Sequence, residues 1–361
     1  MRLIDIDDLD DIAVGGAILG TGGGGDPHIG KLMAKEAIRR NSPVRLVDVD
    51  QVPEDGWVVP VCMMGAPTVM TEKLPQGDEI VIAFRKLEQL MGVTFDAVLC
   101  GEAGGLNSTT PFIVAAETGL PLVDGDGMGR AFPELQMVTF TLHGVHATPM
   151  VLADDKGNSI VLDTVSNQWT ERLARAATVE MGGSALLAFY PMSGKTARHA
   201  IVRGTLGLAA DLGRTLRRSR AKLADPVMTM QDRLGALPLF KGRVLDVERR
   251  TVGGFARGEA TLEGVDAHAG QTLRLAFQNE FLIAERDGDP VVTTPDLIML
   301  LDIDTGDPIT TESLRFGLRV AALAMKCDDQ WRSPEGLELV GPRYFGYDLD
   351  YRPVEETLGA G

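Results

Sequence analysis

The chain is short of cysteine, of aromatic residues and of positive charge, and these shortages narrow the classes of function open to it. Its 361 residues include three cysteines, Cys62, Cys100 and Cys327, and no C-x-x-C pair. So few, so widely spaced, they support neither a disulfide framework nor a cysteine-based zinc site, and they suit a reducing cytoplasm. Lysine and arginine total 35 against 51 aspartates and glutamates, a formal net charge of −16. Nucleic acids and anionic membranes both ask for a basic surface, so neither is expected as a partner. No window reaches the roughly 18 apolar residues of a membrane span. The opening residues, MRLIDIDDLDD, are acidic and lack the apolar stretch of a signal peptide. Aromatics are 5% of the chain, whereas glycine supplies 42 residues, which points to many tight turns or close backbone approaches.

What is present reads as an α/β protein with a β-rich second half. Length beyond roughly 250–300 residues predicts two domains. Residues 1–165 alternate short apolar runs with helical stretches, as in an N-terminal α/β domain with a mostly parallel sheet. The runs PVRLVDVD (43–50), WVVPVCMMG (57–65), FDAVLCGEAGG (95–105) and LPLVDGDGMG (120–129) each end in acids or turn residues. TTPFIVAAETG (109–119) reads as a helix, with Thr109 or Thr110 at its start, Pro111 in the first turn and Gly119 as its stop. Two strands joined by one helix form a βαβ unit, so their C-terminal loops emerge on one edge, where open α/β sheets place ligands. Residues 166–361 begin with helical patterns at 167–183 and 197–222. Short β-rich runs follow from Gly242, as in a sandwich- or barrel-like domain with helices.

The glycine run AILGTGGGGDPHIGKLM (17–33) matches G-x-G-x-x-G through Gly20, Gly22 and Gly25. A dinucleotide turn needs a strand before it and an acid further on, for which Asp48 is the candidate. Leu9, Ile12, Ala13, Gly16 and Ala17 instead show helical spacing, so the context is helix, loop, helix. The run is therefore a flexible connector, or a loop whose bare backbone packs against a ligand, with Asp26 and His28 at its exit. No nucleotide cofactor is expected.

Acids gather at two of the expected strand ends. CGEAGGLNSTTP carries Glu102 and Asn107, and VDGDGMGRAFPELQ carries Asp124, Asp126, Arg130 and Glu134. Asp-x-Asp in a glycine-rich loop can bind a divalent cation or form a solvated turn. Four acids on one edge repel unless a metal, Arg130 or a proton relieves them, which favours a functional site. Asp124, Asp126 and Glu102 are the candidate metal ligands or catalytic carboxylates, for zinc, manganese or magnesium. His143 and His146 form a weak His-x-x-His pair and read as structural. Cys62 ends a strand where a nucleophile could stand, but no histidine partner is legible; as a small buried residue it needs none.

Taken together, AILGTGGGGDP, MGAPTVMTEK, GEAGGLNSTTP, PLVDGDGMGRAFPELQM and VGPRYFGYDLDY resemble one family, in order, from residue 17 to 351. It is the family named for S-methyl thiohydantoin desulfurase, formerly a domain of unknown function, whose members include hydantoin-utilisation and hydantoinase-related proteins. The resemblance implies two domains and chemistry on a five-membered cyclic ureide or thioureide with loss of sulfur. Its motifs fall on Gly22, Gly23, Gly24, Gly25, Asp26, Glu72, Glu102, Asn107, Asp124, Asp126, Arg130 and Glu134. The expected protein is a cytoplasmic, homo-oligomeric hydrolase or desulfurase of a thiohydantoin or hydantoin-like substrate, its water activated by a metal or a carboxylate. Asn107, Arg130 and the glycine loop would hold substrate. The alternative is an accessory protein that binds a nucleotide or other ligand without turnover.

Overall fold

The strand Trp57–Gly65 shows how the first sheet is built. Val58 and Met64 join the apolar layer on one face, and Val59, Val61 and Met63 the layer on the other, as the two-residue period of a strand requires. Both faces are covered, which is why the segment is almost continuously apolar. The computed structural model describes residues 1–65, 69 and 75–359. Within it this strand is part of a nine-stranded sheet. From one edge the order is Arg2–Ile4, Val44–Val47, Leu122–Val123, Ala97–Cys100, Trp57–Gly65, Ser184–Ala188, Met150–Ala153 and Ser159–Leu162, with Met192–Ser193 paired to Trp57–Gly65.

The parallel unit expected from the sequence is present. Val44–Val47, Leu122–Val123, Ala97–Cys100 and Trp57–Gly65 run parallel, so their C-terminal ends share one edge. Helix Thr110–Thr118 makes the crossover, with proline in its first turn and Gly119 closing it in the left-handed region at φ 73°. The remaining pairings in this sheet are antiparallel. Strand Ser184–Ala188 enters between Trp57–Gly65 and Met150–Ala153, so chain beyond residue 165 completes the first sheet. Helix Thr205–Ala221 packs against helix Asp8–Leu19 in the same body.

The second sheet is wholly antiparallel and seven-stranded. Its order is Asp289–Thr293, Glu280–Arg286, Thr272–Gln278, Phe255–Gly264, Leu237–Val252, Arg319–Met325 and Leu297–Asp302. Leu239, Val244, Leu262, Leu275, Ile298 and Ala322 are among the residues of its own core. Each of the larger side chains contributes roughly 1.5–3 kcal/mol by leaving water.

A tight turn of the second sheet packs against the first body of the protein. Asn279 alone separates strands Thr272–Gln278 and Glu280–Arg286, at φ 59°, a left-handed conformation that asparagine tolerates better than most residues. Its amide and side chain bond the backbone of Ala256, which steadies the tip. The tip meets the glycine run: Phe281 N donates to Thr21 O at 2.8 Å, and Thr311, whose Oγ1 donates to Asn279 O, donates its N–H to Gly22 O at 2.7 Å. The run lies between helices Asp8–Leu19 and Pro27–Arg40, without the preceding strand of a dinucleotide turn.

Candidate active site at the junction of the sheets

Where the hairpin tip meets the parallel edge, a half-open pocket with a cavity volume of ≈ 70 Å³ lies between the two large sheets. Glu102, Glu280, Cys62, Asn107, Glu134 and Gly24 are among its lining residues. Glu102 follows strand Ala97–Cys100, and Glu280 is the first residue after the hairpin turn. Both are buried, 8% and 2% exposed, and each has one carboxylate oxygen without a hydrogen-bond partner. Unpartnered buried carboxylate oxygens are costly in a finished core and point to a ligand or proton the site is built to meet.

The two carboxyls hold protons to unusually high pH. Burial raises Glu102 well above the carboxylate range; Glu280 and then Asp126 push it further, against a hydrogen bond from Asn107. Burial also raises Glu280, to about 8, although Arg130 pulls the other way. Two buried acids that feel each other's charge titrate as a pair, one ionising while the other stays protonated.

The glycine run makes this arrangement possible. A β-carbon on Gly23 would stand 2.0 Å from Oε1 of Glu280, and one on Gly24 would stand 2.6 Å from the carbonyl carbon of Gly104. Gly24 O also accepts from Leu106 N at 2.9 Å, which ties the run to the loop bearing Glu102. Gly22 faces the Phe281 ring, which would lie 2.4 Å from a β-carbon there. Gly25 adjoins Gly105, and Asp26 caps helix Pro27–Arg40 by accepting from His28 N at 2.8 Å. Asp26 and His28 are not among the pocket's lining residues.

Asn107 braces the floor. Its Oδ1 accepts from Met63 N at 2.7 Å and its Nδ2 donates to Met63 O, which joins the ends of two parallel strands. Glu134 stands in the pocket wall and accepts from Tyr344 Oη and Gln136 Nε2, both at 2.6 Å. Cys62 is half-buried on the pocket face of its strand, with its thiol pushed up by burial and then by Glu102.

Three expected site residues stand elsewhere. Asp124, read as a ligand or catalytic acid, accepts from Gly207 N at 2.8 Å and so caps the first turn of helix Thr205–Ala221, away from the pocket. The cause is local: the N-terminus of helix Thr205–Ala221 arrives beside Asp124 and offers it the Gly207 N–H. Asp126 is fully buried and accepts from the backbone N–H groups of Ala103, Met128 and Gly129, organising the loop beneath Glu102. Burial raises its carboxyl to about 7 against those bonds. Arg130, expected to hold substrate, is fully buried and directs its donors to Ala131 O, Pro295 O, Asp296 O, Thr21 Oγ1 and Phe281 O. It fastens the hairpin and the glycine run together. Among the described residues no group of three or more histidine, cysteine, aspartate or glutamate side chains is arranged to hold a metal ion. Glu72 lies outside the described residues.

Sequence reasoning missed Glu280. Its signal was an acid set inside the apolar run LRLAFQNEFLIAE, where a charge needs a reason to be buried.

Fold and pocket define a protein with two large sheets and a small two-stranded one, its candidate site lying between an α/β layer and an antiparallel layer. The chain belongs to the S-Me-THD-like family: the family's N-terminal domain matches residues 7–164 and its C-terminal domain residues 165–354. A crystal structure of a protein from Chromobacterium violaceum is similar over 98% of this chain and 100% of its own, at 26% identity and a TM-score of 0.81. A comparison with curated proteins returns no match. Among the described residues no helix is long and apolar enough to cross a membrane.

Proposed function

We propose that the protein is an enzyme that replaces sulfur by oxygen on a thiohydantoin-like ring, with Glu102 and Glu280 moving the protons. The observation that carries this reading is the pair of buried carboxyls, each with an oxygen free to face the same pocket. A five-membered ureide or thioureide is flat, uncharged and edged with N–H donors. It suits a pocket of methionine, phenylalanine and leucine side chains in which the carboxyls of Glu102, Glu134 and Glu280 can accept from ring N–H groups. The ionised member of the pair takes a proton from the attacking group, and the protonated member delivers one to the departing sulfur. Low polarity around the pair strengthens both transfers. Family membership supports the thiohydantoin class of substrate.

The test is to incubate purified protein with S-methyl thiohydantoin, 2-thiohydantoin and hydantoin, following thiol or sulfide release and ring opening. Release of methanethiol or sulfide with formation of a hydantoin is expected, and dialysis against a chelator should leave it unchanged. Loss of turnover on chelation, restored by zinc, manganese or magnesium, would replace the carboxylate reading with a metal-dependent one. No turnover of any of the three rings would overturn the proposal.

A further inference from the structure

We infer that Cys62 is the nucleophile of this site, forming a covalent bond to the ring carbon that loses sulfur. The inference rests on the desulfurase reading above. Alternation along strand Trp57–Gly65 turns Cys62 to the same face as Val58 and Met64, into the pocket, whereas Cys100 and Cys327 are buried away from it. Gly101, which precedes Glu102, lies against Cys62: a β-carbon on this glycine would stand 3.2 Å from the cysteine Cβ. The thiol is close enough to Glu102 to feel its charge, and Glu102 Oε1 is buried and unpartnered. A thiol held protonated beside an unpartnered carboxyl needs a base only at the moment of attack, and Glu102 is placed to be that base.

The chemistry balances without an oxidant or reductant. Cys62 Sγ bonds to the ring carbon as its proton passes to Glu102. The bond from that carbon to the exocyclic sulfur breaks, and the sulfur leaves as methanethiol or hydrogen sulfide with a proton from Glu280. The ring is then held as a thioimidate on Cys62. Water adds to the same carbon, the bond to Sγ breaks, and the ring leaves with oxygen in place of sulfur as the thiol regains its proton. The net change is exchange of water for a thiol or sulfide.

Two measurements on the full-length protein test this. Acid quench during turnover, followed by peptide mass spectrometry, should show the ring without its departing sulfur on the peptide containing Cys62. Cys62→Ala and Cys62→Ser should fold, by thermal melt, yet lose at least about 1,000-fold in turnover. Turnover within tenfold of the parent in either variant would overturn the inference while leaving the desulfurase reading intact. If the parent enzyme releases no sulfur from any ring, the reading itself fails. A second arm needs no substrate: iodoacetamide should label Cys62 ahead of Cys100 and Cys327, and Glu102→Gln should slow that labelling at least fivefold. Equal labelling in Glu102→Gln and parent, or no preference for Cys62, would also overturn it.

Discussion

A β-carbon on Gly23 would lie 2.0 Å from Oε1 of Glu280, so the glycine run and the hairpin tip share one volume that neither can fill alone. Because the clash is with the Glu280 side chain, its Oε1, Cδ and Cγ, and not with backbone, Gly23→Ala should displace the Glu280 carboxyl more than it unfolds the protein. Turnover is expected to fall by about 10–100-fold, since misplacement of a reacting group by about 1 Å can cost that much. Urea unfolding should register only about 1 kcal/mol. A variant with parental kcat would show that Glu280 does not act from this position.

The carboxyl pair makes a prediction about pH. With Glu280 raised to about 8 and acting as the proton donor, kcat/KM should fall as pH rises through 8 and Glu280 ionises. Glu102→Gln and Glu280→Gln should each lose about 100–10,000-fold in kcat, and Glu280→Gln should lack that descending limb. A parental pH profile in both variants would remove the pair from the mechanism.

The same burial links stability to pH. Glu280 has its folded pKa raised from 4.5 to about 8, so the folded state holds a proton that the unfolded state releases between these values. Its contribution is therefore greatest at low pH and declines as pH rises, by up to about 1.4 kcal/mol per pH unit. Glu280→Gln should flatten the fall in unfolding free energy between pH 5 and 8, as read from urea curves. An unchanged slope would mean that the carboxyl titrates normally in the fold.

Asp124 and Arg130 should behave as structural residues. Asp124→Ala removes the acceptor for Gly207 N and should destabilise by about 0.5–2 kcal/mol with kcat within twofold of the parent. Loss of turnover without loss of stability would return Asp124 to the site.

Arg130→Lys leaves too few donors for the five acceptors that Arg130 serves, and should cost about 3 kcal/mol or more in unfolding free energy. A raised KM at unchanged stability would instead make it a substrate ligand.

Much of the frame was legible from local signals. The apolar runs, Pro111 and Gly119 specify the parallel βαβ unit, because strand burial, the fixed φ of proline and the left-handed freedom of glycine act within a few residues. The helical spacing of Leu9, Ile12 and Ala13 likewise specifies the helix Asp8–Leu19 ahead of the glycine run without help from any tertiary contact. Glu102 and Asn107 were placed at the site by the same logic of strand ends. Glu280 and the facing of Asp124 were not legible. Glu280 comes from the other sheet, and a long-range docking of hairpin tip into glycine run has no period to read. Asp124 and Asp126 are chemically alike in sequence; only the arrival of helix Thr205–Ala221 and of the Ala103, Met128 and Gly129 amides decides that both serve the fold. The sequence by itself determined which elements form and which acids stand at one edge, because those follow from propensity and burial along the chain. Tertiary structure alone decided which carboxyls remain unsatisfied and face a shared pocket, because that depends on what distant segments bring to hydrogen-bond them.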